Sequence, residues 1–578
     1  MQRTALCGLI TTLLLGCAQV PNQTPDTTAI KTIANPLDLN YRFMLSGRFR
    51  EAADATVVRY QDKYLMFASK SGGYFVSDDL VDWQVVETDQ YNVEDYAPSA
   101  VVIDDTVYLL ASSHKKTSLY RSDDPLSGNW EVEVQEMQYG IWDPAFFMDD
   151  DKRLYLYWGC SNSHPLWGVE LDYRDQFRFI DRRKGLVETH QALHGWEVSG
   201  DDHTNDERKA WIEGAWVTKH DGRYYLSYAG PGTEYNTYND GMYVSDSPLG
   251  PFTLAEHNPF AYKPAGFVAG AGHGNTFEDK YGNYWHMGTA SASTVNTFAR
   301  RLGIYPTFFD EDGIAHAVTK YGDYPMIVPD HKITDFDQLF PGWMLLSYDK
   351  PVTVSSSQAD YPASQMVDEQ IKTYWAAETG GEHEWAMVDL QGDYQVHAIQ
   401  INFSEHNAKA KGRQPDLRHR YVVESSLDGQ QWQTVMDRAD AEHDNPHAYL
   451  QLPQAQPARY VRLRNLEVAS GELALSGFRV FGLGDGAKPA EVTGLRAERQ
   501  ADPRRVALSW MAVPEATGYT VSFGTHPGKL YSHHTVYGNN QVDINALHGE
   551  RDYYFGIEAF NENGITPSPS VVKVTAPR

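Results

Sequence analysis

One pattern recurs five times between residues 61 and 286, and it restricts the fold more than any other feature of the chain. A turn rich in Asp, Gly or Lys is followed by a short run of aromatic and β-branched residues. The copies are Gln61-Asp62-Lys63-Tyr64-Leu65-Met66-Phe67-Ala68-Ser69, Asp105-Thr106-Val107-Tyr108-Leu109-Leu110-Ala111-Ser112, Lys152-Arg153-Leu154-Tyr155-Leu156-Tyr157-Trp158-Gly159, Asp221-Gly222-Arg223-Tyr224-Tyr225-Leu226-Ser227 and Tyr281-Gly282-Asn283-Tyr284-Trp285-His286. Aligned on Leu65, Tyr108, Tyr155, Tyr225 and Trp285, they are spaced by roughly 40–70 residues, with other strand signals between them. Helical periodicity is hard to find from about residue 50 to 325. A period of this size with several strands per unit describes the blades of a propeller, the longer steps carrying loop insertions. We read an all-β chain that opens with a five-bladed β-propeller.

Each copy is the second strand of a hairpin, so the innermost strand of each blade begins 11 or 12 residues earlier. Those positions hold Asp54, Tyr96, Asp143, Glu213 and His273. Innermost strands line a propeller's central channel, so the five side chains are expected to converge. Taken singly, each acid is as well explained by a turn cap or a surface charge. As a matched set in apolar settings such as Ile141-Trp142-Asp143-Pro144 and Trp211-Ile212-Glu213-Gly214, they point to a buried polar axis. Three carboxylates crowded there push one another's pKa values apart, which separates an acid from a base.

Charge narrows the partners. With 49 Lys and Arg against 77 Asp and Glu, the net charge of −28 leaves no basic footprint for nucleic acid. Residues 1–16 form a charged start and a short apolar run, read as a signal peptide, and Leu15-Gly16-Cys17 resembles a bacterial lipobox. Cleavage before Cys17 and its acylation are expected, with ordinary secretory cleavage as the alternative; Ala18 favours the outer membrane. Contact with the membrane would then be through that lipid only. Residues 17–40 read as a flexible tether.

The axial residues resemble the family 43 glycoside hydrolases, a five-bladed, inverting group, over about residues 45 to 330, within a propeller domain placed at 41–335. The resemblance implies Asp54 as general base, with Ala55 where the family has Pro. It implies Asp143, in Asp143-Pro144, as the residue that tunes and positions the acid. Glu213, in Glu213-Gly214 ahead of Tyr224-Tyr225-Leu226, is implied as the acid. Tyr96-Ala97-Pro98 and Trp142 would wall the sugar site. His273, after Gly272, would hold a central calcium through water, with no cofactor required for the reaction. A blade-five arginine, Arg301 or Arg300, would reach substrate, and Arg301 is the assignment carried forward. The implied activity is an exo-acting, inverting hydrolysis that releases a pentose or galactose-type sugar from a poly- or oligosaccharide. The alternative is a surface lipoprotein that binds glycan without catalysis.

His190, His194 and His203 lie in a polar insertion before blade four, which reads as a rim loop rather than a metal site. Pro231–Tyr238 reads as a second rim loop. Trp83, Trp142, Trp211 and Trp216 are candidates for stacking on sugar.

Two β-sandwich domains are expected behind the propeller. Residues 345–482, with Glu384-Trp385-Ala386-Met387-Val388 and a closing Phe478-Arg479-Val480-Phe481-Gly482, resemble a discoidin or F5/8 type C domain of the family 32 carbohydrate-binding kind. Its loop residues His406, Asn407, Arg413 and Arg418 could bind sugar, or the domain could be purely structural. Residues 488–578 resemble a fibronectin type III domain, with Trp510 in the core and Tyr553 at a strand corner.

Overall fold

A computed structural model describes residues 30–577; the signal peptide and Cys17 lie outside them. Apart from single 3-10 turns, the regular elements are strands. Five antiparallel sheets form the first unit. Their innermost strands are Thr56–Tyr60, Ser99–Ile103, Ala145–Met148, Ile212–His220 and Gly272–Glu278. Each packs beside the next, and Gly272–Glu278 packs beside Thr56–Tyr60, so the ring closes on five blades. The recurring motif is the second strand of every blade: Lys63–Phe67, Thr106–Leu110, Leu154–Trp158, Arg223–Gly230 and Tyr284–Ser291. Its aromatic and aliphatic residues are buried because both faces of a middle strand lie against neighbouring blades.

The tether expected at 17–40 does not extend to residue 40. Lys31–Ile33 pairs with Met326–Val328, Leu37 and Leu39 are buried, and the Leu37 amide donates to the Leu302 carbonyl. The apolar residues at 33, 37 and 39 cover the blade-five edge, which outweighs the loop-like composition around them.

The second unit is a sandwich made from one sheet folded on itself. Trp385–Phe403 and His447–Glu467, 19 and 21 residues long, bend at bulges and so take part in both layers. Their inward residues, with Trp375, Phe478 and Val480, form one core. Arg413 does not face solvent as a sugar ligand would: it pairs with Glu94 of the propeller. His406 is buried against Tyr374 and Gln358.

The third unit packs a three-stranded sheet (Arg496–Arg499, Val506–Ser509, Gln541–Ile544) on a five-stranded one built around Gly518–Gly524 and Tyr553–Asn561. Trp510 lies in its core, and the Tyr553 hydroxyl accepts a hydrogen bond of 3.0 Å from the His548 amide five residues upstream. That core also takes in Trp196 and Tyr262 of the propeller, so the third unit is sealed onto the first.

Candidate active site

The five axial residues meet at the mouth of the channel rather than along it. Asp54 and Asp143 each lie two residues before their inner strand, Tyr96 three residues before, and Glu213 and His273 are second in theirs. At this entrance every blade has one residue in the left-handed region: Asp54 (φ 49°), Ala97 (φ 41°), Asp143 (φ 50°), Gly214 (φ 60°) and His273 (φ 47°). For the four that are not glycine this conformation costs on the order of 1–3 kcal/mol each, and such strain clusters at functional sites. It turns the chain into the sheet while aiming the side chain across the axis. At Gly214 a Cβ would stand 2.6 Å from the His273 ring, so only glycine fits.

All five line one cavity of about 390 Å³, together with Trp142, Cys160, Arg208, Trp211, Phe298, Arg300 and the rim segment Pro231–Glu234. That volume lies within the ~300–1,000 Å³ typical of small-molecule sites. Trp83 is on an outer strand, and Trp216 lines the narrow channel below.

The carboxylates have different surroundings. Asp54 is buried and would resist ionisation for that reason alone, but the Arg300 guanidinium 2.8 Å away, His273 and the Ser69 hydroxyl at 2.6 Å outweigh burial and hold its pKa below the ordinary value. Asp143 is buried with a weaker escort, the Ser112 hydroxyl at 2.8 Å and His273, and is pushed up to about 6. Glu213 accepts from Trp211 Nε1 at 2.9 Å, from Cys160 Sγ at 3.1 Å and from the Tyr238 hydroxyl. Asp143, Cys160 and Glu213 approach one another within 4.8 Å. His273 Nδ1 is central, 3.5 Å from Asp54, 4.0 Å from Asp143 and 4.0 Å from Glu213. Burial disfavours its charge, yet those three acids and Asp240 raise its pKa above the ordinary value. Asp54, Asp143 and Glu213 are thus gathered around one imidazole nitrogen.

Arg301, expected to reach substrate, does not line the cavity. It is buried and donates to the Arg50 carbonyl, His447 Nε2 and Glu405, holding blade five to the second unit. Neighbours on a strand point to opposite faces, so only one of the two arginines can face the axis, and that one is Arg300. With Arg300→Gln, Asp54 loses the charge that favours its ionised form, and its pKa rises. The acid limb of kcat/KM is expected to move to higher pH, measured on an aryl glycoside; a limb that stays in place would detach Arg300 from Asp54.

The hydroxyls that orient this site also lie in the repeat. Four residues after the aligned positions stand Ser69, Ser112 and Thr289. Each accepts the amide of the next blade's entrance residue: Ala97 at 2.8 Å, Asp143 at 2.7 Å and Asp54 at 2.8 Å. A hydroxyl at constant offset in three of five copies was the available signal. Tyr238 had no such signal; it reaches Glu213 from the second rim loop.

Calcium takes six to eight oxygen ligands. The space beneath His273 has a volume of about 10 Å³, and Asp54, Thr56 and Asn275 are its only lining residues with side-chain oxygens. His273 turns Nδ1 to the acids instead. Asp54, Asp143, Glu213 and Asp240 around His273 favour its charged form against burial.

Residues 49–315 match the model of glycosyl hydrolases family 43, and residues 351–476 match the F5/8 type C domain. The chain is 26% identical over 151 residues to a β-xylosidase of Xylanibacter ruminicola, which covers 22% of this chain and 41% of that protein. It is 28% identical over 198 residues to xylosidase/arabinosidase 43A of Humicola insolens, covering 27% of this chain and 56% of that protein. The matches thus span about half the length of these relatives. Among solved structures, a glycoside hydrolase is 20% identical with a TM-score of 0.46, covering 76% of this chain and 99% of its own. The chain thus carries a segment, residues 49–315, similar to family 43 of the glycosyl hydrolases, followed by one, residues 351–476, similar to the F5/8 type C domain.

Proposed function

We propose that this chain is an exo-acting glycoside hydrolase that removes a pentose from an oligo- or polysaccharide with inversion at the anomeric carbon. The observation that supports it best is the contrast between two carboxylates facing one cavity. Asp54 is held ionised by Arg300 and His273, as a base that activates water must be. Glu213 lies among donors beside Asp143, and burial together with the neighbouring acids pushes Asp143 itself up to about 6. Water attacks from the Asp54 side while Glu213 protonates the departing oxygen. Tyr96, Trp142 and Phe298 form the apolar wall for the sugar, and Arg300, which lines the same cavity, holds Asp54 in place. The pentose reading draws on the relatives' names, β-xylosidase and xylosidase/arabinosidase.

Proton NMR of the first product, taken before mutarotation, tests the mechanism: the anomer opposite to the substrate's is expected, and retention would refute a single displacement. The F5/8 type C domain supports binding of the polymer. We read the third unit as fibronectin type III from its two sheets, core Trp510 and bonded Tyr553. Cys17 is read as a lipid anchor to the outer membrane: wild type should partition with membranes and Cys17→Ser should not, and a fully soluble wild type would remove the anchor.

A further inference from the structure

The third unit is bolted to the loop that forms one wall of the catalytic cavity. The blade-four insertion runs from His190 to Trp211, and it is gripped by that unit from Gln191 to Asp206. Trp196 is 1% exposed inside the C-terminal core. The Gly195 amide donates to the Leu547 carbonyl at 2.9 Å, and the Gly549 amide to the Leu193 carbonyl at 2.8 Å. A Cβ on Gly195 would come within 2.3 Å of the Asn545 carbonyl oxygen, so the two backbones touch. Arg504 donates to the Gln191 carbonyl and pairs with Asp206 at 2.6 Å; Arg505 pairs with the same carboxylate; and Asn545 donates to the Asp202 carbonyl at 2.7 Å.

The second half of the insertion reaches the cavity. Arg208 lines it and pairs through Nη1 with Glu234 at 2.8 Å and the Tyr235 hydroxyl at 2.6 Å, both on the opposite rim loop. Among the described residues nothing occupies its Nε and Nη2, and its side chain is 50% exposed. These rim residues border the acid: Trp211, three residues on from Arg208, donates to Glu213, and Tyr238, four on from Glu234, does so as well. In an acid-assisted cleavage the departing oxygen lies against the acid, so a group at this rim meets the leaving sugar rather than the released one.

Resting on the hydrolase reading above, we propose that Arg208 is a specificity-determining residue for the leaving-group sugar, and that the C-terminal unit positions it. Its Nε–Nη2 edge is a two-donor fork. Glu234 already balances its charge, and the cavity is rich in carboxylate, so the matching ligand is a pair of adjacent hydroxyls on a neutral sugar rather than a uronic acid.

The test uses the full chain with Arg208→Ala and, separately, the double variant Arg504→Ala/Arg505→Ala. The probes are xylotriose and arabinotriose against the 4-nitrophenyl glycosides of the same sugars. Arg208→Ala should raise KM for the trisaccharide by about tenfold, the size expected for lost charge-assisted hydrogen bonds, with a clearly smaller change on the aryl glycoside. The double variant should raise the trisaccharide KM in the same direction, leave kcat on the aryl glycoside within about twofold, and increase hydrogen exchange in residues 190–210. Calorimetric trisaccharide binding in an Asp54→Asn background reads the same site without turnover. An Arg208-dependent Kd in a wild type that hydrolyses nothing would refute the hydrolase reading and leave the subsite standing. Equal KM changes on both substrate classes, a loosened loop with unchanged trisaccharide KM and Kd, or tighter binding of a uronic acid-bearing probe would overturn the proposal.

Discussion

Asp54→Asn is expected to lower kcat by about 10³–10⁴-fold on natural saccharide and activated aryl glycoside alike, since water must be deprotonated whatever leaves. The amide keeps the size of the side chain, and its oxygen in the place of Oδ2 can still accept from Ser69 and from Arg300 Nη2, so the loss would report the missing base rather than a collapsed site. Arg300 would then pair with Glu51 alone, to which its Nε donates at 2.9 Å. Steady-state kinetics on both substrate classes, with a thermal melt to confirm folding, measures it. Substantial residual turnover on natural saccharide would move the base to another residue.

Glu213→Gln should separate substrates by their leaving groups. On a saccharide whose departing alcohol is a poor leaving group, a loss of about 10²–10⁴-fold is expected; on a dinitrophenyl glycoside, whose phenolate departs without a proton, the loss should stay within about tenfold. Trp211 Nε1 can still donate to the amide oxygen in the place of Oε2, and the amide nitrogen in the place of Oε1 can donate to the Tyr238 hydroxyl, so the side chain keeps its orientation. Equal losses on both classes would remove Glu213 from the acid role.

The two predictions depend on electrostatics that were only partly visible before the fold was known. No acidic residue is adjacent to Asp54 in sequence, yet in space it has Glu51, Asp143 and Glu213 around it. What keeps it ionised is Arg300, nearly 250 residues away along the chain and brought beside it by ring closure. The adjacent Arg301 has the same composition-level credentials. Which of the two faces the axis is a matter of strand phase, and a shift of one residue reverses it.

The blade count and the axial set were legible because both follow from a repeat. Five copies of a strand at regular spacing demand five equivalent sheets, and equivalent positions on equivalent strands must converge in a closed ring. Asp54, Tyr96, Asp143, Glu213 and His273 were therefore fixed by arithmetic on Leu65, Tyr108, Tyr155, Tyr225 and Trp285. The order of the three units followed from changes in strand pattern in the same way.

Features without a period were decided only by tertiary structure. Residues 30–40 read as a spacer but are ordered, because Ile33, Leu37 and Leu39 find apolar surface on blade five that no local signal announces. Trp196, in a stretch read as a polar rim loop, is buried in the core of a domain that begins almost 300 residues later. Local sequence reports backbone preference and the alternation of one strand. Which surfaces meet, and so whether a given arginine binds substrate, seals an interface or holds a loop, depends on free energy gained between segments far apart in the chain, and folding brings them together.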